Sequence, residues 1–184
     1  MVDGVLIGGV YGCGKSTVAA EIADQLERRE ISYAALDLDW LTWFKTPGLD
    51  DVSSEQIFLD NLAGVVGNYL RVGVQHFVLA GSVRDRDALD RIRVSIPVPL
   101  RVVRLEVPID VIDRRLLADP TEGRRGDLRV AMTWLTEGTG AGLEDLAVDN
   151  EQPITDVARA IIEWLGWSVP GLTPADPNPI TPAG

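Results

Sequence analysis

The chain has 184 residues, 46% of them hydrophobic, which suits one globular domain with a sizeable core. Seventeen basic residues against 28 acidic ones give a formal charge of −11, so a nucleic acid or an anionic membrane is not the expected partner. Cys13 is the only cysteine, which excludes an internal disulfide, and no apolar run has the length of a membrane-spanning helix. The first residues read as a strand rather than a secretory leader, so the expected setting is the cytoplasm.

In chain order, Gly4 to Gly8 predicts a short buried strand, and Gly9-Val10-Tyr11-Gly12-Cys13-Gly14-Lys15-Ser16-Thr17 follows it directly. This run satisfies G-x-x-x-x-G-K-[ST]. Val18, Ile22 and Leu26 then recur at helical spacing as far as about Glu30. Strand, glycine loop and helix in this order form a phosphate cradle. Glycine reaches backbone conformations that let successive N–H groups point at one anion, and the helix start adds its free N–H groups and dipole. Lys15 is placed to reach terminal phosphates, and the Ser16 hydroxyl to ligate magnesium. Gly9, Tyr11, Gly12, Cys13, Gly14, Lys15, Ser16 and Thr17 are therefore the expected nucleotide contacts. Cys13 sits near a helix start that would favour its thiolate, but a small residue packed inside the loop is the expectation.

Ser32 to Leu36 predicts a second strand ending in Asp37-Leu38-Asp39, where residues i and i+2 of an extended chain share a face. Trp40, Trp43 and Phe44 follow and are expected to pack into the core beside the sheet, the alternative being the lining of an acceptor pocket. Ser53 with Gln56 predicts a capping box opening a helix with Phe58, Leu62, Val65, Val66, Tyr69 and Leu70 on one face. Val74 to Ala80 is the third predicted strand, and its only histidine, His76, reads as structural. Gly81 and Ser82 follow at once. Arg84 to Val94 predicts a charged helix, so Arg84 is either a substrate contact or part of a solvated face. Leu100 to Val107 is the fourth strand, and a helix from Pro108 ends at Asp119-Pro120. Arg124 and Arg125 are placed in a glycine-flanked loop before a further helix through Trp134, which Gly138, Gly140 and Gly142 terminate. Leu146 to Val148 predicts a fifth strand, Asp149-Asn150 its exit, and Ile154 to Trp164 an amphipathic helix. From Ser168 onward, five prolines in 17 residues predict a tail outside the domain, so the expected division is 1–167 and 168–184.

Alternating strands and helices predict an α/β fold with a parallel sheet covered on both faces, whose ligands collect outside the carboxyl ends of the strands. The P-loop, Asp37 to Asp39, Gly81-Ser82 and Asp149-Asn150 would then share one rim. The third strand ends in Ala80-Gly81, without the acid that common motor ATPases carry there. No N-K-x-D is present, so ATP is expected rather than GTP.

On the P-loop, and more weakly on the order and spacing of the rest, residues 2–167 resemble the small P-loop kinases of the nucleoside-monophosphate-kinase-like class. That class includes shikimate, gluconate, adenylylsulfate and chloramphenicol kinases. The resemblance implies a P-loop NTPase fold, a three-layer sandwich with a five-stranded parallel sheet in the order 2-3-1-4-5 and a small lid at about 115–128. It implies transfer of the ATP γ-phosphoryl, with Mg²⁺, to a hydroxyl or phosphate of a small-molecule acceptor. The D-x-D pair is similar to that of shikimate kinases, which assigns Asp37 to the metal and Asp39 to the acceptor, although the two are exchangeable on this ground. By the same resemblance Gly81, Ser82 and Arg84 belong to the acceptor side. Arg115 and Arg125 belong to the lid, and the loop at Asn150 lies against the adenine. Asp119 departs from the lid pattern, standing where a second basic residue is expected. A monomer or homodimer is expected. The competing expectations are a regulatory switch ATPase with no small-molecule acceptor, and a relative that only holds nucleotide.

Overall fold

In the computed structural model the described residues are 1–117 and 122–167, with side chains described for 1–116 and 128–167. The predicted tail, Asp119 and Pro120 lie outside them, as does the side chain of Arg125. Five strands, β1 (Asp3–Gly8), β2 (Tyr33–Asp37), β3 (His76–Ala80), β4 (Leu100–Glu106) and β5 (Leu146–Asp149), form one parallel sheet in the order β2-β3-β1-β4-β5. The predicted order therefore holds. β1 lies at the centre, pairing Val5 with Val78 of β3 and with Arg101 of β4. Its residues Val5, Leu6 and Ile7 are fully buried, because a central parallel strand has protein on both faces.

Alternate β1 side chains feed two cores. Val5 and Ile7 pack with Val18, Ile22 and Leu26 of α1 (Lys15–Glu27) and with Val157, Ile161 and Ile162 of α6 (Ile154–Leu165). Leu6 packs on the other side with Leu62 and Val66 of α2 (Asp51–Arg71) and with Leu89 and Ile92 of α3 (Arg86–Ser95). The strand period of two and the helix period of 3.6 thus sort the apolar residues into three layers. α4 (Ile109–Leu117) and α5 (Glu122–Glu137) complete the described helices.

Several boundaries differ from expectation, each for a local reason. α2 starts at Asp51 because Asp50 caps it, its carboxylate accepting from Ser53 N at 2.7 Å, so the expected Ser53 capping box gives way to a cap three residues upstream. The same hydrogen bond holds the Asp50 carboxyl below its ordinary range. Asp39 is not on a strand: β2 stops at Asp37, and Leu38–Thr42 winds into a 3-10 turn. Arg124 and Arg125 fall within the first turns of α5 instead of a loop. The largest departure concerns the aromatic run. Trp40 and Trp43 are 67% and 75% exposed and stack on each other at 4.7 Å, so they are not core. His76 is structural as expected, with Nδ1 2.7 Å from Asp3 Oδ1 and its ring against Trp167.

Candidate active site

β1 delivers the P-loop to the carboxyl edge of the sheet, and the loop closes on the start of α1. Gly9, Gly12 and Gly14 have φ of 132°, 80° and 101°, a region that side chains with a Cβ rarely enter. A Cβ at Gly14 would stand 2.6 Å from Asn150 Nδ2, so that position is closed by contact as well as by conformation. Gly14 N-caps α1 without any side-chain cap, and no acidic residue lies in the first turn. Among the described residues, the N–H groups at this end therefore meet neither a carboxylate nor a hydroxyl. They face a cleft of about 580 Å³ lined by Gly12, Gly14, Lys15, Ser16, Thr17 and Arg115, among others.

Inside the loop, Lys15 is 7% exposed, and its Nζ donates to Val10 O at 3.0 Å and lies 5.2 Å from the Tyr11 ring. The ammonium is held at the loop by a neutral carbonyl, a partner that an incoming phosphate oxygen outcompetes because that bond is charge-assisted at both ends. Cys13 is fully buried, and its thiol is pushed up by burial, with Lys15 and Arg115 pulling the other way. The packing expectation for this residue holds. Gly9 lies behind the loop, where a Cβ would meet Cys13 Sγ at 2.7 Å.

Two residues hold the loop from below. Asn150, 3% exposed, donates through Nδ2 to Cys13 O at 2.7 Å. Arg115 donates from Nη1 to the same carbonyl at 3.2 Å and from Nη2 to Asn150 O at 3.1 Å. Both line the P-loop cleft, but their polar groups are spent on the loop and on each other. The resemblance placed Arg115 in the lid and the loop at Asn150 against the adenine, and this tie was missed, since nothing local joins position 13 to positions 115 and 150.

The two aspartates meet the cleft in different ways. Ser16 Oγ donates to Asp37 Oδ2 at 2.6 Å, and the other oxygen of Asp37 accepts from Asp39 N at 3.0 Å. A hydroxyl and a carboxylate brought this close are the oxygen donors that a magnesium ion takes, with phosphates and water completing its shell. Among the described residues no group of three or more His, Cys, Asp or Glu could hold a metal by itself. Asp39 is exposed and lines the P-loop cleft together with a second one, of about 730 Å³, that also carries Ser82, Arg84 and Phe44. Tyr11 lines both as well, and its ring meets Trp134 edge-on with centroids 6.3 Å apart.

The remaining candidates divide. Ser82 reaches the loop, donating to Gly9 O at 3.1 Å, and Arg84 is exposed on the wall of the second cleft. Gly81 is buried, and the place a Cβ would take is filled by the Leu38 side chain, 2.9 Å away. The glycine makes room for the base of the 3-10 turn rather than opening the sheet to a ligand. Val83, Arg91 and Trp134 line the second cleft without having been expected there. For Trp134 the signal was the spacing Leu128, Ala131, Trp134, which marks the inner face of α5.

No protein-family model matches the sequence, and no curated protein matches it. Solved structures do. A sugar kinase from Janibacter sp. aligns with 90% of this chain and 95% of its own at 21% identity, with a TM-score of 0.65. The tunicamycin resistance protein of Deinococcus radiodurans aligns with 96% of this chain and 100% of its own at 17% identity and a TM-score of 0.63. An APS kinase from Mycobacterium tuberculosis, solved with AMPPNP and APS, aligns at 90% and 98% with 22% identity and a TM-score of 0.59. At these identities the likeness carries the fold, and the fold of the chain is that of the small P-loop kinases.

Proposed function

We propose that this protein is an ATP-dependent phosphotransferase that moves the γ-phosphoryl of ATP to a hydroxyl or phosphate of a small molecule. One observation carries the reading: Asp39 lines both the P-loop cleft and the second cleft, so a single carboxylate faces a donor on one side and an acceptor on the other. A carboxylate so placed can orient an acceptor hydroxyl and receive its proton. The loop N–H groups and Lys15 would hold the phosphates, with Lys15 exchanging the Val10 carbonyl for a phosphate oxygen. Ser16 and Asp37 would hold magnesium, which when bound offsets charge on the phosphates. Arg115 would fix the loop through the Cys13 carbonyl. Arg125, at the start of α5, is the lid arginine of this proposal. The kinase fold of the neighbouring structures supports the class of reaction and leaves the acceptor open.

The test is ADP release from ATP·Mg²⁺ across a panel of hydroxyl and phosphate acceptors. Acceptor-dependent release is expected, falling at least 100-fold in Lys15→Ala and in Asp39→Asn, the scale of a lost charge-stabilising group or general base. Slow hydrolysis that no acceptor changes, with Asp39→Asn silent, would instead identify a switch ATPase.

A further inference from the structure

Between the ends of β1 and β4 and the 138–144 loop lies a recess of about 240 Å³. Among the described residues its wall is mainly aliphatic, from Leu6, Val10, Leu89, Val102, Leu105 and Leu143. Protein interiors rarely leave a void much larger than a water molecule, so a space of this size needs something to hold it open. The loop that roofs it does so. Asp145, which follows the loop, is joined to β4 twice, its N–H donating to Val102 O and its Oδ2 accepting from Val102 N, both at 2.8 Å. Arg86 Nη2 donates to Gly142 O at 3.3 Å, and Gly140 lies so near Val83 that a Cβ there would stand 2.7 Å from the Val83 oxygen. Tied at these points, the roof spans the space instead of settling into it. Leu135 and Ala141 also line the recess and are exposed, which opens it to solvent.

The wall carries one polar pair whose hydrogen bonding is incomplete. Arg104 pairs with Glu106, and its Nε lies 3.1 Å from Glu144 Oε1 at an angle too far off line for a hydrogen bond. Arg104 Nε and Glu144 Oε2 are consequently buried without a hydrogen-bond partner. Burial works against the charge on Glu144, yet nearby backbone N–H groups and Arg104 hold its carboxyl below the ordinary range. An unmet donor thus stands beside an unmet anionic acceptor, and leaving either unpaired is costly. A hydroxyl is the smallest group that serves both, because it donates one hydrogen and accepts through its lone pairs. An apolar cavity of about 150 Å³ suffices for benzene, so there is room for a ring as well.

We infer that this recess is a binding site for a compact apolar alcohol of the size of phenol. Its ring lies against Leu89, Val102 and Leu105, and its hydroxyl lies between Arg104 Nε and Glu144 Oε2. Arg104 and Glu144 line neither the P-loop cleft nor the second cleft, so the site does not rest on the phosphotransfer reading.

Phenol and toluene have nearly the same shape and differ in the hydroxyl, which makes them the deciding probes. Each is titrated into the full chain by NMR or calorimetry without nucleotide. A purely apolar cavity ranks toluene first, since phenol must shed the water on its hydroxyl. Here phenol is expected to bind saturably and about fivefold more tightly than toluene, for its bonds to a charged pair. Nuclear Overhauser effects should connect its ring to the methyl groups of Leu89, Val102 and Leu105. Glu144→Leu keeps the bulk, removes the carboxylate and should reverse the order, so that toluene leads. Ala141→Phe, at an exposed position of the lining, should weaken both probes about tenfold or more by filling the space. Toluene binding as tightly as phenol, no saturable binding of phenol, or ring contacts confined to the exposed Trp40 and Trp43 pair would each overturn the proposal. So would an Ala141→Phe protein with unchanged affinities or a Glu144→Leu protein that still prefers phenol. Should Glu144→Leu fail to fold, the wild-type ranking and its contacts decide the matter by themselves.

Discussion

Asn150 shows what a single buried amide does for a loop that has no side chains to brace it. The P-loop is built from glycines so that its N–H groups converge, which leaves its carbonyls turned away and in need of donors. Cys13 O finds two, Asn150 Nδ2 at 2.7 Å and Arg115 Nη1 at 3.2 Å. In Asn150→Ala the nearer donor is lost and a buried carbonyl is left with the longer bond alone. A cost of roughly 1–2 kcal/mol is expected, seen as a fall in the thermal midpoint of about 2–8 °C. Because the loop also loses its fixed shape, ATP affinity measured by calorimetry should weaken about tenfold. An Asn150→Ala protein with unchanged midpoint and affinity would show that Arg115 suffices. This tie was not legible in the sequence. The glycines and Lys15 announce themselves because their types are dictated by phosphate, whereas Asn150 is dictated by a carbonyl 137 residues away.

At the scale of elements, the site depends on how β2 ends. The sequence placed Asp37 and Asp39 on one strand face; the chain instead turns at Asp37, whose carboxylate caps the 3-10 turn that carries Asp39. The D-x-D spacing works in either geometry, so the spacing found the residues while the conformation stayed hidden. Leu38, 5% exposed, anchors that turn by packing over Gly81. In Gly81→Ala the added methyl would stand 2.9 Å from Leu38 Cδ1, and its Cβ and Cγ are nearly as close. Overpacking of this kind costs about 1–3 kcal/mol, and the turn moves more readily than the sheet. Acceptor-dependent ADP release should therefore fall by about tenfold or more while ATP affinity stays within about twofold, a split that kinetics and calorimetry on one preparation will check. Equal losses in both would place the strain in the P-loop instead. The misplaced tryptophans belong to this scale too. Trp40 and Trp43 follow a strand and look like core by composition, but on a single 3-10 turn there is no sheet face beneath them to cover them.

For the molecule as a whole, most of the architecture was legible because a parallel sheet writes itself in apolar runs separated by helical periods. Val5 to Ile7, Phe77 to Ala80 and Val102 to Val103 are such runs, while the order β2-β3-β1-β4-β5 was implied only by the resemblance to the small P-loop kinases. Clefts are another matter. A cleft is bounded by residues from many elements, and the second one takes Asp39, Asp51, Glu55 and Asp85 from β2's exit, α2 and the cap of α3. On the proposed function, the fold keeps nucleotide holding apart from acceptor handling, and that separation is measurable. A ligand that binds only the native state raises its stability by about 2.7 kcal/mol at 100 times its dissociation constant, which for a chain of this size is a midpoint shift of about 5–11 °C. ATP·Mg²⁺ should produce that shift in the wild type and in Asp39→Asn, since Asp39 sits at the boundary and not in the loop, and should lose it in Lys15→Ala. If Asp39→Asn abolished the shift as fully as Lys15→Ala, the two clefts would act as one, and Asp39 would belong with the phosphate cradle.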